Sequence, residues 1–222
     1  MTSAVPVPSL RREPQQARSR ARLAVLLDAA EELLVREGPG ALSTTRIAAE
    51  AGVSVGSLYQ YFPDKAAIVD ALAWRYLGDF EELMDALVSE AAANPTEDPA
   101  GGVIDAFALR YAAQPGYRAL WLGRHLSDEL LAADRDNKAL LAQGVRRILV
   151  DGAIVSDHQE LATACHAAVL AADALLQEAF RLDAQGDSDL LAEAKHLLRT
   201  YLASAVVRFP PPSHRHEVFH ER

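Results

Sequence analysis

The stretch GVSVGSLYQYF, from Gly52 to Phe62, constrains the fold more than any other part of the sequence. A glycine with a serine two residues later predicts one helix that ends in a left-handed residue and a second helix that begins immediately. Leu58 and Phe62 stand four residues apart, so they share the inward face of that second helix. The three residues between them include two tyrosines, and they must therefore point partly outward. An aromatic surface of this kind suggests contact with another molecule.

The residues before the glycine supply the other half of a helix-turn-helix. Ser43 or Thr44 can cap a short helix whose apolar face is Ile47, Ala48 and Ala51. Two short helices separated by a glycine turn define a helix-turn-helix unit. An ordinary helical hairpin in a larger bundle satisfies the same spacing, so the spacing alone leaves both interpretations open.

Helical periodicity extends over most of the chain. Leucine and alanine recur at steps of three and four from Arg18 until the sequence Gly38-Pro39-Gly40 ends the pattern. A long helix is predicted from Pro63 to about Ala92, because proline suits a first helical turn. Breaks rich in glycine, proline and aspartate separate the later helices. These are predicted over residues 102–113, 116–132, 136–151, 156–183 and 188–207, with a capping box from Ser156 to Gln159. The fold class is therefore all-α.

The net charge of -9 argues at first against nucleic acid as a partner. The distribution of charge matters more than the sum. Residues 1–62 hold seven arginines against six acids, and five of those arginines fall within the first 27 residues beside a single glutamate. A basic end on an acidic body suits a protein that touches DNA with one end only.

Several other classes of protein lack support in the sequence. The single cysteine, Cys165, cannot form an internal disulfide, and no signal peptide or membrane-spanning run is evident, so we expect a soluble cytoplasmic protein without a membrane partner. Cys165 and His166 are adjacent on a helix and point about 100° apart, which argues against a catalytic pair. His214, His216 and His220 follow a proline run and are more simply a fortuitous cluster than a metal site. We expect no enzyme activity, no metal and no cofactor.

The stretch TTRIAAEAGVSVGSLYQYFPDKAAIVDAL resembles the DNA-binding domain of TetR-family transcriptional regulators. The hallmark of that family is the pattern G-V-S-x-G-x-L-Y-x-Y-F-x-x-K. This chain supplies every fixed position of the pattern in register, from Gly52 to Lys65. The resemblance covers about residues 18–72, and beyond it only the helical character and the total length agree with the family.

The resemblance implies an N-terminal three-helix helix-turn-helix DNA-binding domain followed by a larger helical ligand-binding and dimerisation domain. It also implies a homodimer, built from the final two helices, that binds a palindromic double-stranded DNA operator and is controlled by a small-molecule effector. The expected divisions are a flexible basic arm (1–17), the helix-turn-helix domain (18–65), the effector-binding and dimerisation domain (66–208) and a mobile tail (209–222).

The same resemblance implies a set of DNA contacts. Backbone contacts are expected from Thr44, Ser54, Tyr59, Tyr61 and Lys65. Further DNA contacts are expected from Arg18, Arg20 and Arg22, because the arm before the first helix lies beside the operator in this family. Base edges are expected to face Val55, Gly56, Ser57 and Gln60. The amide of Gln60 carries the donor and acceptor pair that suits adenine. Arg46 stays open between a phosphate contact and an ion pair with a neighbouring acid such as Glu50.

Candidates in the body follow from composition and position. Residues that can line an effector pocket are Phe107, Tyr111, Tyr117, Trp121, His125, Cys165 and His166. Trp121 and His125 share a helical face, which makes them the best pair for an amphipathic ligand. Residues that can form the dimer interface are Leu161, Val169, Leu176, Phe180, Leu190, Leu197, Tyr201 and Leu202. A simpler interpretation places many of both sets in the core of the single chain.

Three functions stay open on these grounds. The first is a homodimeric repressor released from DNA by an effector. The second is a DNA-binding regulator without an effector, because the sequence does not show whether a ligand pocket exists. The third is a helical enzyme or carrier that includes a helix-turn-helix, but no nucleophile with a base, no phosphate-binding glycine loop and no paired metal ligands support it.

Overall fold

The computed structural model describes residues 17–122 and 127–211. All regular structure in these ranges is helical, which confirms the predicted class. The α-helices are α1 (Ala17–Glu37), α2 (Thr44–Glu50), α3 (Val55–Leu58), α4 (Lys65–Ala93), α5 (Pro99–Ala113), α6 (Pro115–Leu122), α7 (Asp128–Asp151), α8 (Gln159–Leu182) and α9 (Ser188–Arg208). A short 3-10 helix, Pro39–Ala41, joins α1 to α2.

The turn chemistry of the helix-turn-helix is as the sequence predicts. The hydroxyl oxygens of Ser43 and Ser54 each accept the backbone N–H three residues on, at 3.3 and 3.1 Å, and so cap α2 and α3. Gly52 has a φ of 64°, the left-handed value that ends α2 without steric cost. Leu58 and Phe62 are completely buried. These contacts confirm the inward face proposed for the second helix of the motif.

The ends of two neighbouring helices differ from the prediction. Helix α3 ends at Leu58. The N–H groups of Gln60 and Tyr61 bond to the carbonyls three residues back, so the chain forms turns here rather than continuing as a regular α-helix to Phe62. Phe62 precedes Pro63, and the residue before a proline is disfavoured in a helix. Pro63 itself lies outside α4, because the carboxylate of Asp64 accepts the Ala67 N–H at 2.9 Å and caps that helix.

The body departs from the prediction at the starts of α5 and α7. No single helix covers residues 116–132: α6 ends at Leu122, and α7 begins at Asp128 rather than at residue 136. Ser127 caps α7 by accepting the Leu130 N–H at 3.2 Å, and two acids occupy its first turn, where they favour the positive end of the helix dipole. Asp98 likewise starts α5 at Pro99, three residues before the predicted start.

The predicted capping box before α8 is wrong. His158 occupies the N-cap position of α8 and its side chain makes no capping bond. The hydroxyl of Ser156 donates instead to the carbonyl of Pro210 at 2.5 Å. This contact fixes the chain that follows α9 against the start of α8.

The body helices pack around a continuous apolar core. Helix α4 lies against α7, α7 against α8, and α8 against α9, while α5 contacts α4, α8 and α9. Within the described ranges, no helix combines the length and the apolar character needed to cross a membrane. Because α4 begins beside the helix-turn-helix and then crosses the body, it physically connects the two regions.

A polar contact joins α4 to the DNA-binding end. The guanidinium of Arg75 pairs with Asp28 of α1 at 2.7 Å and also with Glu31. The hydroxyl of Tyr76 donates to Glu31 at 2.7 Å. A Cβ on Gly116 would overlap that hydroxyl, so only glycine lets α6 approach so closely. Movement of α4 therefore acts directly on α1.

Candidate nucleic-acid interface and effector cavity

The exposed side of the helix-turn-helix collects most of the sequence-predicted DNA contacts. Ser54, Gly56, Tyr59 and Gln60 are exposed, and Tyr59 retains 42% of its accessible surface. The remaining members of the predicted α3 surface are partly buried: Val55, Ser57 and Tyr61. The structure thus presents hydroxyl, amide and glycine positions together on one short segment.

Two hydrogen bonds organise the edges of this surface. The hydroxyls of Thr44 and Tyr59 lie 3.3 Å apart and connect the start of α2 with the end of α3. The ammonium of Lys65 donates to the carbonyl of Pro39 at 3.2 Å. Because both contacts are exposed, these groups can exchange their present partners for phosphate oxygens at little cost.

No contact within the chain requires a glycine at position 56. A Cβ built on it would meet only the hydroxyl oxygen of Ser54, at 3.9 Å, which is ordinary contact. Its backbone is helical and has no positive φ. A glycine here leaves the backbone of α3 open to close approach from outside, as a duplex groove would require.

Arg46 forms an ion pair, although not with the predicted partner. Its guanidinium donates to both carboxylate oxygens of Glu37, at 2.7 and 2.8 Å. Glu50 is held instead by Arg36, at 3.1 Å. The bonds from Arg46 and then Arg36 hold the pKa of Glu37 below its ordinary value. Arg46 therefore has to leave Glu37 before it can reach a phosphate.

The predicted arginines of the arm lie partly inside α1. This helix begins at Ala17, so Arg18 and Arg20 belong to its first turn. Arg20 and Arg22 are exposed. The residues before Ala17, including the remaining arginines of the predicted arm, lie outside the described part of the chain.

A cavity of about 50 Å³ lies between α4, α5, α6, α7 and α8. Three of the predicted pocket residues line it, namely Phe107, Tyr111 and Tyr117. The ring of Trp121 stacks on Tyr117 at a centroid distance of 4.3 Å and extends the aromatic wall.

The other three predicted pocket residues do not form part of this wall. Neither Cys165 nor His166 lines the cavity, and His125 lies outside the described residues. Burial raises the pKa of the Cys165 thiol to about 11, so it stays protonated at neutral pH and offers no thiolate nucleophile.

A buried polar cluster, formed by Asp134, Lys138, Asp173, Tyr111 and Trp121, lies at the edge of the cavity. The ammonium of Lys138 is shared by the carboxylates of Asp134 and Asp173, the latter at 3.0 Å. Tyr111 donates to Asp173 at 2.8 Å, and the indole N–H of Trp121 donates to Asp134 at 3.3 Å. Burial acts to lower the pKa of Lys138, but the two carboxylates outweigh it and raise the pKa above its ordinary value.

This polar cluster was not predicted from the sequence. Asp134 and Lys138 are four residues apart on α7 and resemble an ordinary surface pair. Their third partner, Asp173, lies on α8 and is distant in the sequence. One signal was available, because Asp134 and Asn137 occupy positions in step with Leu130 and Leu141 on the inward face of α7.

The predicted dimer residues separate into two groups. Leu161, Val169, Leu176 and Phe180 are buried within the single chain, so they have almost no surface left to offer a partner. The second group lies on α9 and retains exposed surface: Leu190, Leu197, Tyr201 and Leu202. The first group therefore belongs to the core of the single chain.

A helix-turn-helix with an exposed polar surface, joined by one long helix to an all-helical body with an internal cavity, defines a DNA-binding regulator. Comparison with protein families agrees. Residues 26–72 match the model described as bacterial regulatory proteins of the tetR family, and residues 94–206 match the model of the tetracyclin repressor-like C-terminal domain. The chain belongs to the TetR family, whose members are transcriptional regulators and not enzymes.

Solved structures show the same fold. A TetR-family transcriptional regulator from Streptomyces coelicolor is 29% identical, with a TM-score of 0.59 over 82% of this chain and 98% of that one. FadR from Bacillus subtilis, solved with stearoyl-CoA, is 20% identical, with a TM-score of 0.61 over 81% of this chain and 97% of that one. SmeT, the repressor of a Stenotrophomonas maltophilia multidrug efflux pump, is 17% identical, with a TM-score of 0.61 over 82% and 89%. No curated protein sequence matches the chain.

Proposed function

We propose that the chain is a homodimeric repressor that binds a palindromic operator and is released when a small molecule enters the cavity beside α4. One observation carries this proposal. The first turn of α4 holds Lys65 at the DNA-binding surface, whereas the middle of the same helix lines the cavity through Leu77, Phe80 and Met84. A ligand that moves the middle of α4 therefore also moves its first turn.

The closeness of α4 and α7 supports the coupling. A Cβ on Gly144 of α7 would overlap the side chain of Met84, so the two helices touch at this point without spare room. A cavity of about 50 Å³ has room for only a few water molecules. A ligand of ordinary size must push Met84 and its helix away from α7.

The surface of α8 and α9 supports a dimer. On α8, exposed small or apolar side chains recur at Thr163, Ala167, Leu170 and Ala174, which share one face of the helix. On α9, Leu197 is 47% exposed. Two copies joined through such a surface can present their α3 segments to successive major grooves, about 34–36 Å apart on a palindromic site.

Two of the solved structures are consistent with a ligand-responsive repressor, but they do not identify the ligand of this chain. The complex of FadR with stearoyl-CoA shows that a protein of this fold can take a long ligand, and SmeT shows that one acts as a repressor. Neither identity is high enough to transfer a ligand or a target gene to this chain.

A disulfide between α4 and α7 tests the coupling directly. The Cβ positions of Met84 and Gly144 lie 3.7 Å apart, within the range of about 3.5–4.5 Å for a disulfide. We expect the oxidised Met84→Cys/Gly144→Cys protein, in a Cys165→Ala background, to bind the operator and to resist release by compounds that release the reduced form. The reduced form of the same variant is the matched control. Release of both forms by the same compound would contradict coupling through α4.

A DNA-binding regulator without an effector is the second candidate. The small size of the cavity favours it. Under this alternative, no amphipathic compound changes operator binding, and oxidation of the double-cysteine variant has no consequence for regulation.

A further inference from the structure

The cavity beside α4 has a second, wholly apolar neighbour. A second space of about 50 Å³ lies between α5, α7, α8 and α9, and none of its lining residues is charged or polar. The two cavities share lining residues, including Ile104, Val145 and Ala172. The side chains of these shared residues therefore separate the first cavity, which has a polar edge, from the second cavity, which is apolar throughout. Joined together, they form one elongated volume that is polar at a single end.

The polar end carries excess negative charge. Among the described residues that line the first cavity, the charged groups are the carboxylates of Asp134 and Asp173 and the ammonium of Lys138. Burial raises the pKa values of the phenols of Tyr111 and Tyr117 well above the ordinary value, so both are neutral at neutral pH. Two carboxylates facing one ammonium leave a net charge of one negative unit.

A neighbouring cation does not compensate for this charge. Arg118 borders the same aromatic residues but does not line the cavity. Its guanidinium donates to the backbone carbonyls of Tyr111, Ala112 and Ala184. These three bonds come from Nη1, and within the described ranges Arg118 forms no ion pair with Asp134 or Asp173.

The side-chain oxygen of Asn137 is a further acceptor at this end of the cavity. Its side chain is 5% exposed and lines the cavity. The amide nitrogen donates to the carbonyl of Leu77 at 3.1 Å and to Glu81 at 2.9 Å, which fixes the orientation of the amide. No group in the described ranges donates to its Oδ1. Among the described residues, Oε1 of Gln114 is the buried side-chain atom that lacks a hydrogen-bond partner, so Oδ1 of Asn137 keeps accessible surface. A ligand head that brings N–H donors can therefore reach this oxygen.

We infer that the effector is an elongated hydrophobic monocation, with an amine head at Asp134, Asn137 and Asp173 and an apolar body in the second cavity. An ammonium supplies three donors and no acceptor, which matches a site that offers carboxylate and amide oxygens. An anionic head would add charge to a site that is already negative. This inference rests on the proposed function, because it assigns the ligand class of the same cavity.

Three compounds of one shape test the head group. We would titrate the full-length dimer by calorimetry with 4-phenylbenzylamine, 4-phenylbenzyl alcohol and 4-phenylbenzoate. Hydrogen bonds to charged groups are worth about 1.5–3 kcal/mol, so the ammonium should bind at least about tenfold more tightly than the alcohol, and the benzoate most weakly. Equal binding of ammonium and alcohol, tighter binding of the benzoate, or no binding of the ammonium at about 1 mM would each overturn the assigned class.

Two variants tie the preference to named carboxylates. Asp173→Asn and Asp134→Asn each remove one negative charge and keep one of the two oxygens that now accept hydrogen bonds. We expect each variant to reduce the preference for the ammonium over the alcohol to about threefold or less. Thermal melting identifies a variant that fails to fold. If one variant does not fold, the preference of the other variant tests the assigned site. An unchanged preference in a folded variant would contradict the site.

The apolar end is tested by length. Benzylamine should bind at least about tenfold more weakly than 4-phenylbenzylamine, since it leaves the second cavity empty. Ala172→Phe, at the boundary of the two cavities, should weaken only the longer amine. Equal affinities of the two amines would contradict the elongated site.

Operator binding is measured in the same samples. An ammonium that binds with the expected preference but leaves the operator bound would contradict the proposed function and not the ligand class. Release of the operator by the alcohol and the ammonium alike would contradict the ligand class and not the proposed function.

Discussion

The DNA-binding surface and the body cavity place their polar groups in opposite ways. On the helix-turn-helix, Ser54, Tyr59, Gln60 and Lys65 are exposed, and their present contacts are local and replaceable. In the body, the polar cluster around Lys138 is buried and joined by ion pairs between helices. The first arrangement suits an external partner that supplies charge. The second suits an internal ligand that has to compete with charges already paired.

Removal of the central cation should give the largest effect. Lys138→Met leaves Asp134 and Asp173 buried without their shared ammonium, and breaking such a pair costs about 3–5 kcal/mol. We expect the free energy of unfolding, from urea titration, to fall by that amount. Because the pKa of Lys138 is raised, the contribution of Lys138 is complete at neutral pH and is lost only as the pH rises past the ordinary range of lysine.

A surface lysine provides the control for this change. Lys195 pairs with Asp105, whose side chain is 60% exposed, so Lys195→Met should cost less than about 1 kcal/mol. Similar losses in the two variants would show that the buried cluster is not distinct from a surface pair.

Disruption of the proposed dimer should give the next largest effect. Leu170→Glu with Leu197→Glu places charges on the exposed faces of α8 and α9, and light scattering should report a monomer. Operator affinity should fall roughly 100-fold, since two linked half-site contacts become one. Leu109→Glu is the control, because Leu109 is 72% exposed on α5. A dimer that persists in the double variant would place the interface elsewhere.

Loss of one phosphate contact should have a smaller effect. Lys65→Ala should weaken operator binding about tenfold at moderate salt and reduce the salt-dependence slope by about one. Arg147→Ala removes the same charge from an exposed position of α7 and should leave both quantities unchanged. Equal effects of the two substitutions would mean that net charge, and not the position of Lys65, governs binding.

Gly56 should give the smallest change and the clearest separation of folding from binding. Gly56→Ala should stabilise the chain by about 0.5–1 kcal/mol, because alanine is the better helix former, while operator binding weakens several-fold. Gly102 of α5 is the control, since a Cβ there also meets open space. Gly102→Ala should be equally stabilising and should not change operator binding. Unchanged binding by Gly56→Ala would remove the argument that DNA approaches this backbone.

The two regions also differ in how far the sequence predicts them. The helix-turn-helix depends on residues close in sequence, so its caps, its left-handed glycine and its buried pair, Leu58 and Phe62, follow from spacing alone. The cluster in the body joins α5, α6, α7 and α8. Asp173 and Lys138 lie on different helices, so their ion pair produces no periodic pattern in the sequence. The starts of α5 and α7 do carry a signal in the sequence, because Asp98 and Ser127 are residue types that cap helices.

Selection of the operator from random double-stranded DNA, with affinity measured over a range of salt, is the decisive measurement for the proposed DNA-binding surface. We expect a palindromic sequence whose half-sites are about one helical turn apart, and an affinity that falls steeply with salt because many phosphates are contacted. Enrichment of a single half-site would contradict the dimer. No enrichment of any sequence would contradict the assignment of the helix-turn-helix as the functional surface of this chain.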